Sequence, residues 1–482
     1  MSLVNTVMHS FKNHSLFRQI FQTENKLIKY GSLGLVTCLI SYVLGPDIFR
    51  VLFRSSGNKA SLRYDKYTTG LINKGNDCFI NSSLQGLAGS QRFNHYLNSV
   101  LRCLKFLNEN PKQEGNRYAL PLHQVMAEFI YDLQAPTFLN TVESSDKIIV
   151  TMESIFKQKM SRRQNDAQEF TQLLLEVLHN EYQELIRLMN FITNNLDIPT
   201  YPFEGKYCHE LTCLKCGRNS EVKMFDFDIL TLNLPAQPSI SLDELISGSN
   251  SDVIEGFSCT VCKVSAILGG TGTHNPNTRS LIKSLKEIFP ELKINTELDE
   301  PLNSFVDSYS HDGVITRNIK STIVKKTVFV EVPDILLIHL TRSMFNGMSY
   351  TRNACKIAYD EKLLLEHQLV MDGVSVMRNN IQYTLSSAIK HSGSHSMGHY
   401  QCYRRKLFSK RFEPIDLTLE PSPGTGRNIS KTNKETITFK RTPTVKRYPF
   451  WWICDSRTKE CPLRSVLDEQ KSVYLLYYDK KH

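Results

Sequence analysis

The sequence predicts an α+β fold in which helices lead and strands follow. Between residues 91 and 190, apolar side chains recur at helical spacing, most clearly over 97–107, 125–133 and 167–178. From residue 201 the texture changes to short runs rich in Val, Ile, Leu, Tyr and Phe, at 221–234, 322–330, 335–340, 383–389 and 473–478. Helices grouped ahead of strands indicate segregated α and β layers rather than alternating βαβ units. The length of 482 residues accommodates one large domain with insertions, or two to three domains, and is ample for a sizeable core. Twelve cysteines in such a chain are too sparse for a disulfide scaffold. Four of them form two CxxC pairs, which points to a reducing compartment with metal-binding and catalytic thiols.

Taken in order, residues 1–29 form a basic segment, with Lys12, Arg18, Lys26 and Lys29 against Glu24. A charge-free run over 30–46 follows, and it extends to Phe53 only by taking in Asp47 and Arg50. At about 1.5 Å per residue the run spans roughly 25 Å, slightly short of the ~30 Å hydrocarbon core of a bilayer. Basic flanks and a place ahead of the globular pattern speak against a buried core helix. The late start and the Gly45-Pro46-Asp47 sequence speak against a cleaved signal peptide. Residues 30–53 are therefore expected to be a transmembrane anchor, 54–66 a polar linker, and 67–482 the globular domain. Within that domain, 264–320 is rich in Gly, Asn, Ser and Asp, with one helix expected at 280–289. The segment 406–447 is strongly basic and contains Pro421-Ser422-Pro423-Gly424. Both are expected to be surface insertions.

Three stretches carry chemistry. The first is Gly70-Leu71-Ile72-Asn73-Lys74-Gly75-Asn76-Asp77-Cys78-Phe79-Ile80-Asn81-Ser82-Ser83-Leu84-Gln85, a polar turn leading into an apolar run at helical spacing. It places Cys78 at a helix N-terminus, where unpaired N–H groups and the helix dipole favour a thiolate. Asn73 brings an amide that suits a developing oxyanion. The second is His391-Ser392-Gly393-Ser394-His395-Ser396-Met397-Gly398-His399-Tyr400, a Gly/Ser loop between strand-like segments that suits a histidine general base. Gly393 and Gly398 are read as making room for a narrow substrate. The third is Phe450-Trp451-Trp452-Ile453-Cys454-Asp455, where Asp455 is suited to orient His399. Separately, Cys213, Cys216, Cys259 and Cys262 form a CxxC…CxxC pattern fit for a closed, structural zinc site.

These motifs resemble those of the ubiquitin-specific proteases. Residues 70–85 are similar to the family's cysteine box and 383–404 to its histidine box. Gln164-Asn165-Asp166-Ala167-Gln168-Glu169-Phe170 is similar to QQDAxEF, the run 332–340 to the strand ending in HLKRF, and 474–478 to the closing YxLFY strand. The matches run in family order from about residue 67 to the C-terminus. The resemblance implies a papain-like thiol hydrolase with thumb, palm and zinc-ribbon fingers. It makes Cys78 the nucleophile, His399 the base, Asp455 the third member and Asn73 the oxyanion donor. Asp166, Gln168, Glu169, Gly398 and Tyr400 become substrate contacts, the acidic pair meeting the basic tail of ubiquitin. The partners implied are ubiquitin and ubiquitinated proteins, with the membrane held through the N-terminal helix.

The chain departs from the family pattern at Asp77, Lys74, Thr341 and Ser343, and a register shift by one would put Cys454 in the third position. An adjacent carboxylate at Asp77 opposes thiolate formation unless it turns to solvent. The competing readings are an inactive ubiquitin-binding scaffold and a protease for another ubiquitin-like modifier. No nucleic-acid partner is expected, since 205–262 lacks interleaved basic and aromatic residues. A short, moderately apolar anchor with basic flanks suits the mitochondrial outer membrane first and the endoplasmic reticulum second, with the enzyme facing the cytosol.

Overall fold

The computed structural model describes residues 66–109, 117–135, 137, 139–161, 165–192, 198–249, 251–270, 275–311, 313–345, 347–371, 374–394, 397–407 and 443–481. The predicted anchor, the basic segment before it, nearly all of the linker, and residues 408–442 of the second insertion lie outside these. Among the described residues no helix is long and apolar enough to cross a membrane.

The helical layer comes first, as expected. It comprises α1 (Cys78–Leu87), α2 (Gln91–Glu109), α3 (Pro121–Gln134), α4 (Asp146–Phe156) and α5 (Ala167–Ile192). Each of α2 to α5 turns an apolar stripe inward. The exception is α1, in which all ten residues are buried. Its polar side chains are satisfied internally: Ser82 and Ser83 donate to the carbonyl of Phe79, and Gln85 donates to the carbonyl of Thr69. That satisfaction is what allows a polar helix to run through the core.

Two sheets follow. The finger sheet is built from β1 (Gly205–Cys213), β2 (Lys223–Phe227), β4 (Ser251–Phe257) and β5 (Ser321–Glu331), with the short strand β3 (Ile229–Asn233) leaving it for the palm. Its order is β2-β1-β5-β4. The eight-stranded palm sheet adds β6 (Ile335–Thr341), β7 (Lys362–Met371), β8 (Val374–Gly393), β9 (Gly398–Arg405), β10 (Phe450–Cys454), β11 (Arg457–Cys461) and β12 (Val473–Lys480). The order is β11-β10-β9-β8-β12-β6-β3, with β7 paired to β8. Only β6 and β3 run parallel to each other; the other pairs in this sheet are antiparallel. Ile335 through Leu340 are all buried, His339 among them, as in a strand covered on both faces.

The first insertion holds the helix expected at 280–289, here Pro276–Ile288, and further helices beside it. It is ordered into α7 (Thr260–Leu268), α8 (Pro276–Ile288) and α9 (Leu302–Ser308), following α6 (Leu242–Ser249). Val261, Val264, Ile267, Leu285, Ile294 and Val306 close a small apolar core against Ile323 of the finger sheet. Asn275 caps α8 by accepting from the Thr278 N–H at 2.8 Å. In α8 and α9 polar residues dominate the composition and mask a narrow apolar stripe, while α7 is mostly apolar. The second insertion is narrower than its expected bounds. Lys406 is buried and ion-pairs with Glu460 at 2.7 Å, and Pro443–Arg447 is helical.

Arg404 on β9 ties the sheet to the helices. Fully buried, its guanidinium donates to Gln85 Oε1 at 2.5 Å, to the Leu133 carbonyl at 3.0 Å and to Thr68. Burial pulls its pKa down to about 10, which leaves it charged at neutral pH. Arg404→Ala orphans these buried acceptors, and denaturant unfolding is expected to show a loss of about 2–4 kcal/mol. An unchanged unfolding midpoint would show that this tie is dispensable.

Candidate active site

The turn before α1 is folded by Asn73. Its Oδ1 accepts from the N–H groups of Gly75 at 3.0 Å and Asp77 at 3.1 Å. This delivers Cys78 to the first position of α1, with 4 % of its surface exposed. Asp77 does not turn to solvent; it is buried and its Oδ2 accepts from the Lys74 N–H at 3.3 Å. The thiol differs from the expected thiolate. Burial pushes the Cys78 pKa up, the N–H of Tyr400 facing the sulfur pulls it down, and the charge of Asp455 raises it again. One helix N-terminus acts only over its first turn, and here desolvation outweighs it.

His399 and Tyr400 arrive on β9 from the hairpin with β8, where Ser392 pairs with His399 and Gly393 with Gly398. The two glycines serve packing. Gly393 has φ +142°, and a Cβ on Gly398 would lie 2.1 Å from the His391 ring. His391 in turn stacks on Tyr400 with centroids 4.4 Å apart.

The third element is the turn between β10 and β11. Its Asp455 adopts φ +50°, the left-handed region. Asp455 Oδ2 accepts from Asn73 Nδ2 at 3.0 Å, and Oδ1 from Asn81 Nδ2 at 2.8 Å. Its carbonyl accepts from the Leu71 N–H at 3.0 Å. A Cβ on Gly70 would come within 2.8 Å of that carbonyl oxygen, so only glycine admits the approach. His399 Nε2 lies 3.7 Å from Asp455 Oδ2 and 3.2 Å from Cys454 Sγ. Both residues of the ambiguous register therefore face the imidazole, Cys454 in contact and Asp455 as the charge just beyond. Among the described residues no hydrogen bond joins the Cys78 thiol to the His399 ring. Asn81 was not singled out in the sequence. Its signal is its place three residues after Cys78, on the same helix face.

Asp166 is engaged within the fold. Oδ1 caps α5 by accepting from the Gln168 N–H at 2.6 Å, and Oδ2 accepts from the hydroxyls of Tyr474 at 2.5 Å and Tyr400 at 3.3 Å. Burial and this carboxylate hold both tyrosine hydroxyls firmly protonated. Gln168 is half-buried and Glu169 is exposed, so Glu169 is the open acid of the predicted pair. Gln164 lies outside the described residues.

Apart from this site, the four cysteines converge. Cys213 ends β1, Cys216 sits in the following turn, Cys259 precedes α7 and Cys262 lies in its first turn. Sγ separations are 3.7 Å for Cys213–Cys262 and 3.8 Å for Cys216–Cys259, and all four sulfurs lie within 4.8 Å of one another. Tetrahedral thiolates at about 2.3 Å from a zinc ion stand roughly 3.8 Å apart, so the donors fit that ion.

The chain is similar to known proteins in sequence and in fold. A family model described as ubiquitin carboxyl-terminal hydrolase matches residues 69–478. Ubiquitin carboxyl-terminal hydrolase 16 of Saccharomyces cerevisiae is 35 % identical, over 97 % of this chain and 99 % of that protein. Ubiquitin carboxyl-terminal hydrolase 16 of Emericella nidulans is 24 % identical, over 77 % of this chain and 66 % of that protein. The fold is similar to that in the SAGA Ubp8/Sgf11/Sus1/Sgf73 DUB module bound to ubiquitin aldehyde. The TM-score is 0.53 at 16 % identity, covering 91 % of this chain and 75 % of that one.

The raised Cys78 pKa yields a prediction. Thiolate accumulates only as pH rises past the ordinary thiol value of 9.0. Iodoacetamide labelling of Cys78, followed peptide by peptide in a mass spectrometer, is expected to keep accelerating through that pH. A plateau reached by pH 7 would instead reveal a resting thiolate–imidazolium pair.

Proposed function

This chain belongs to the ubiquitin carboxyl-terminal hydrolase family, and from that premise we propose how its residues divide the work. It is a thiol-dependent deubiquitinase, hydrolysing the bond after the C-terminal glycine of ubiquitin. Cys78 rests as a thiol, so its proton passes to Nδ1 of His399 as sulfur attacks the carbonyl carbon. The Nε2 proton stays on the side of Cys454 and Asp455, and the Asp455 carboxylate stabilises the imidazolium. One Asn73 amide proton is held by Asp455, which aims the second at the oxyanion. Collapse of the tetrahedral species expels the lysine amine, which takes its proton from His399. Water, deprotonated by the same imidazole, then attacks the thioester and frees Cys78. The observation that carries this reading is the Asp455 carboxylate, which bonds Asn73 and Asn81 and lies beside His399.

Around this centre, Glu169 meets the basic tail of ubiquitin, with Gln168 and Gly398 beside the tail. Asp166 acts one step back, fixing Tyr400 so that its N–H stays on the Cys78 sulfur. Cys213, Cys216, Cys259 and Cys262 would hold a structural zinc that stabilises the root of the helical insertion. Four thiolates leave no open position, so the ion takes no part in hydrolysis. Residues 30–53 anchor the enzyme in the mitochondrial outer membrane, or second in the endoplasmic reticulum, with residues 67–482 in the cytosol. The support is the charge-free run with basic flanks.

A ubiquitin C-terminal electrophile is expected to label the full chain, and Cys78→Ala to abolish labelling. His399→Ala should remove hydrolysis while ubiquitin binding persists. Asp455→Asn should lower kcat/KM by about 10²- to 10⁴-fold, because it removes the charge behind His399. Absence of labelling in folded wild type would favour the scaffold reading, and labelling by probes for other modifiers would redirect the substrate.

The location is tested by fusing residues 1–66 to a fluorescent protein and deleting them from the enzyme. The fusion is expected on mitochondria and the truncated enzyme soluble and active. A diffuse fusion overturns the anchor.

A further inference from the structure

Beside the nucleophile lies a second set of metal donors. His399 Nε2, Cys454 Sγ and an Asp455 carboxylate oxygen all lie within 4.8 Å of one another. The Nε2–Sγ separation is 3.2 Å and the Nε2–Oδ2 separation 3.7 Å. Tetrahedral zinc bound by nitrogen, sulfur and oxygen at about 2.0–2.3 Å spaces its donors roughly 3.3–3.7 Å apart, close to both separations that involve Nε2. The four finger cysteines, at 3.7 and 3.8 Å, show the same correspondence for an all-sulfur site.

We propose that His399, Cys454 and Asp455 form a regulatory zinc site through which free Zn²⁺ reversibly inhibits the enzyme. Imidazole and thiolate together select zinc over magnesium or calcium, so Cys454 is the residue that gives the site its character. Asp455 is already fixed by Asn73 and Asn81, a supporting shell of the kind metal ligands require. Each carboxylate oxygen has two lone pairs, which leaves one for the ion. The His399 side chain is 37 % exposed, which gives the ion a way in. Three protein donors leave one position to water, so this ion exchanges, unlike one enclosed by four thiolates.

The inhibition follows from where the protons go. Binding releases the Cys454 thiol proton to solvent and takes the Nε2 lone pair, which confines the imidazole proton to Nδ1. The ring then has no lone pair to accept the proton of Cys78. This consequence rests on His399 being the base, as proposed above, whereas binding itself does not.

The two are tested separately. Full-length Cys78→Ala protein, stripped of loosely held metal with a mild chelator, is titrated with Zn²⁺ against a chromophoric zinc indicator. One equivalent beyond the tightly held metal is expected. Cys78→Ala/Cys454→Ser is expected to bind it at least about tenfold more weakly. Cys78→Ala/Asp455→Asn is a second variant should the serine protein not fold. In wild type, Zn²⁺ is expected to slow hydrolysis of a fluorogenic ubiquitin substrate and a chelator to restore it. Loss of the additional equivalent in Cys78→Ala alone would place the ion on the nucleophile and overturn the site. So would equal affinity with and without Cys454. Binding without inhibition would leave the site standing and overturn both its regulatory role and the assignment of His399 as base.

Discussion

The Asp455 carboxylate is the junction on which the site depends. It accepts one amide from Asn73 and another from Asn81, and it faces His399 across 3.7 Å. These groups come from three places in the chain: the turn before α1, α1 itself, and the hairpin that carries β9. Hydrogen bonds to a charged acceptor are worth about 1.5–3 kcal/mol each, so the pair of amides is a substantial clamp. The clamp needs backbone permission on both sides. Asp455 takes a left-handed conformation, and Gly70 lets the neighbouring backbone approach closely enough for Leu71 to bond its carbonyl.

The same carboxylate that faces His399 works against ionisation of Cys78. Burial raises the Cys78 pKa, and the Asp455 charge raises it further. The N–H of Tyr400 pulls the other way, and its position is maintained at a distance by Asp166, which takes the hydroxyls of Tyr400 and Tyr474. Two acids thus govern the thiol from opposite sides, one by charge and one by placement. Burial weighs toward the neutral thiol at Cys78, and among the described residues no hydrogen bond joins that thiol to His399.

Away from the chemistry, the fingers solve a different problem. A four-stranded sheet projecting from the palm has little core of its own. The helices α7, α8 and α9 supply one, packing Val264, Leu285 and Val306 against Ile323. The four cysteines gather where that small core meets the end of β1. A metal ion held by these thiolates would reinforce the helix packing at the same joint.

Much of this was legible in the sequence because it is local. Helical spacing over 91–190, apolar strand runs after residue 201, the turn ahead of Cys78, the hairpin glycines and the two CxxC pairs each lie within one short window. Local periodicity and turn chemistry are properties of neighbours along the chain. What only the tertiary structure decided is long-range. The amides on Asp455 span more than 370 positions, Asp166 is captured by tyrosines from two distant strands, and Cys454 touches His399 only because β10 pairs with β9. The protonation of Cys78 belongs here too. The sequence supplied a helix N-terminus, which favours thiolate, whereas desolvation is set by everything packed around it, and burial prevailed.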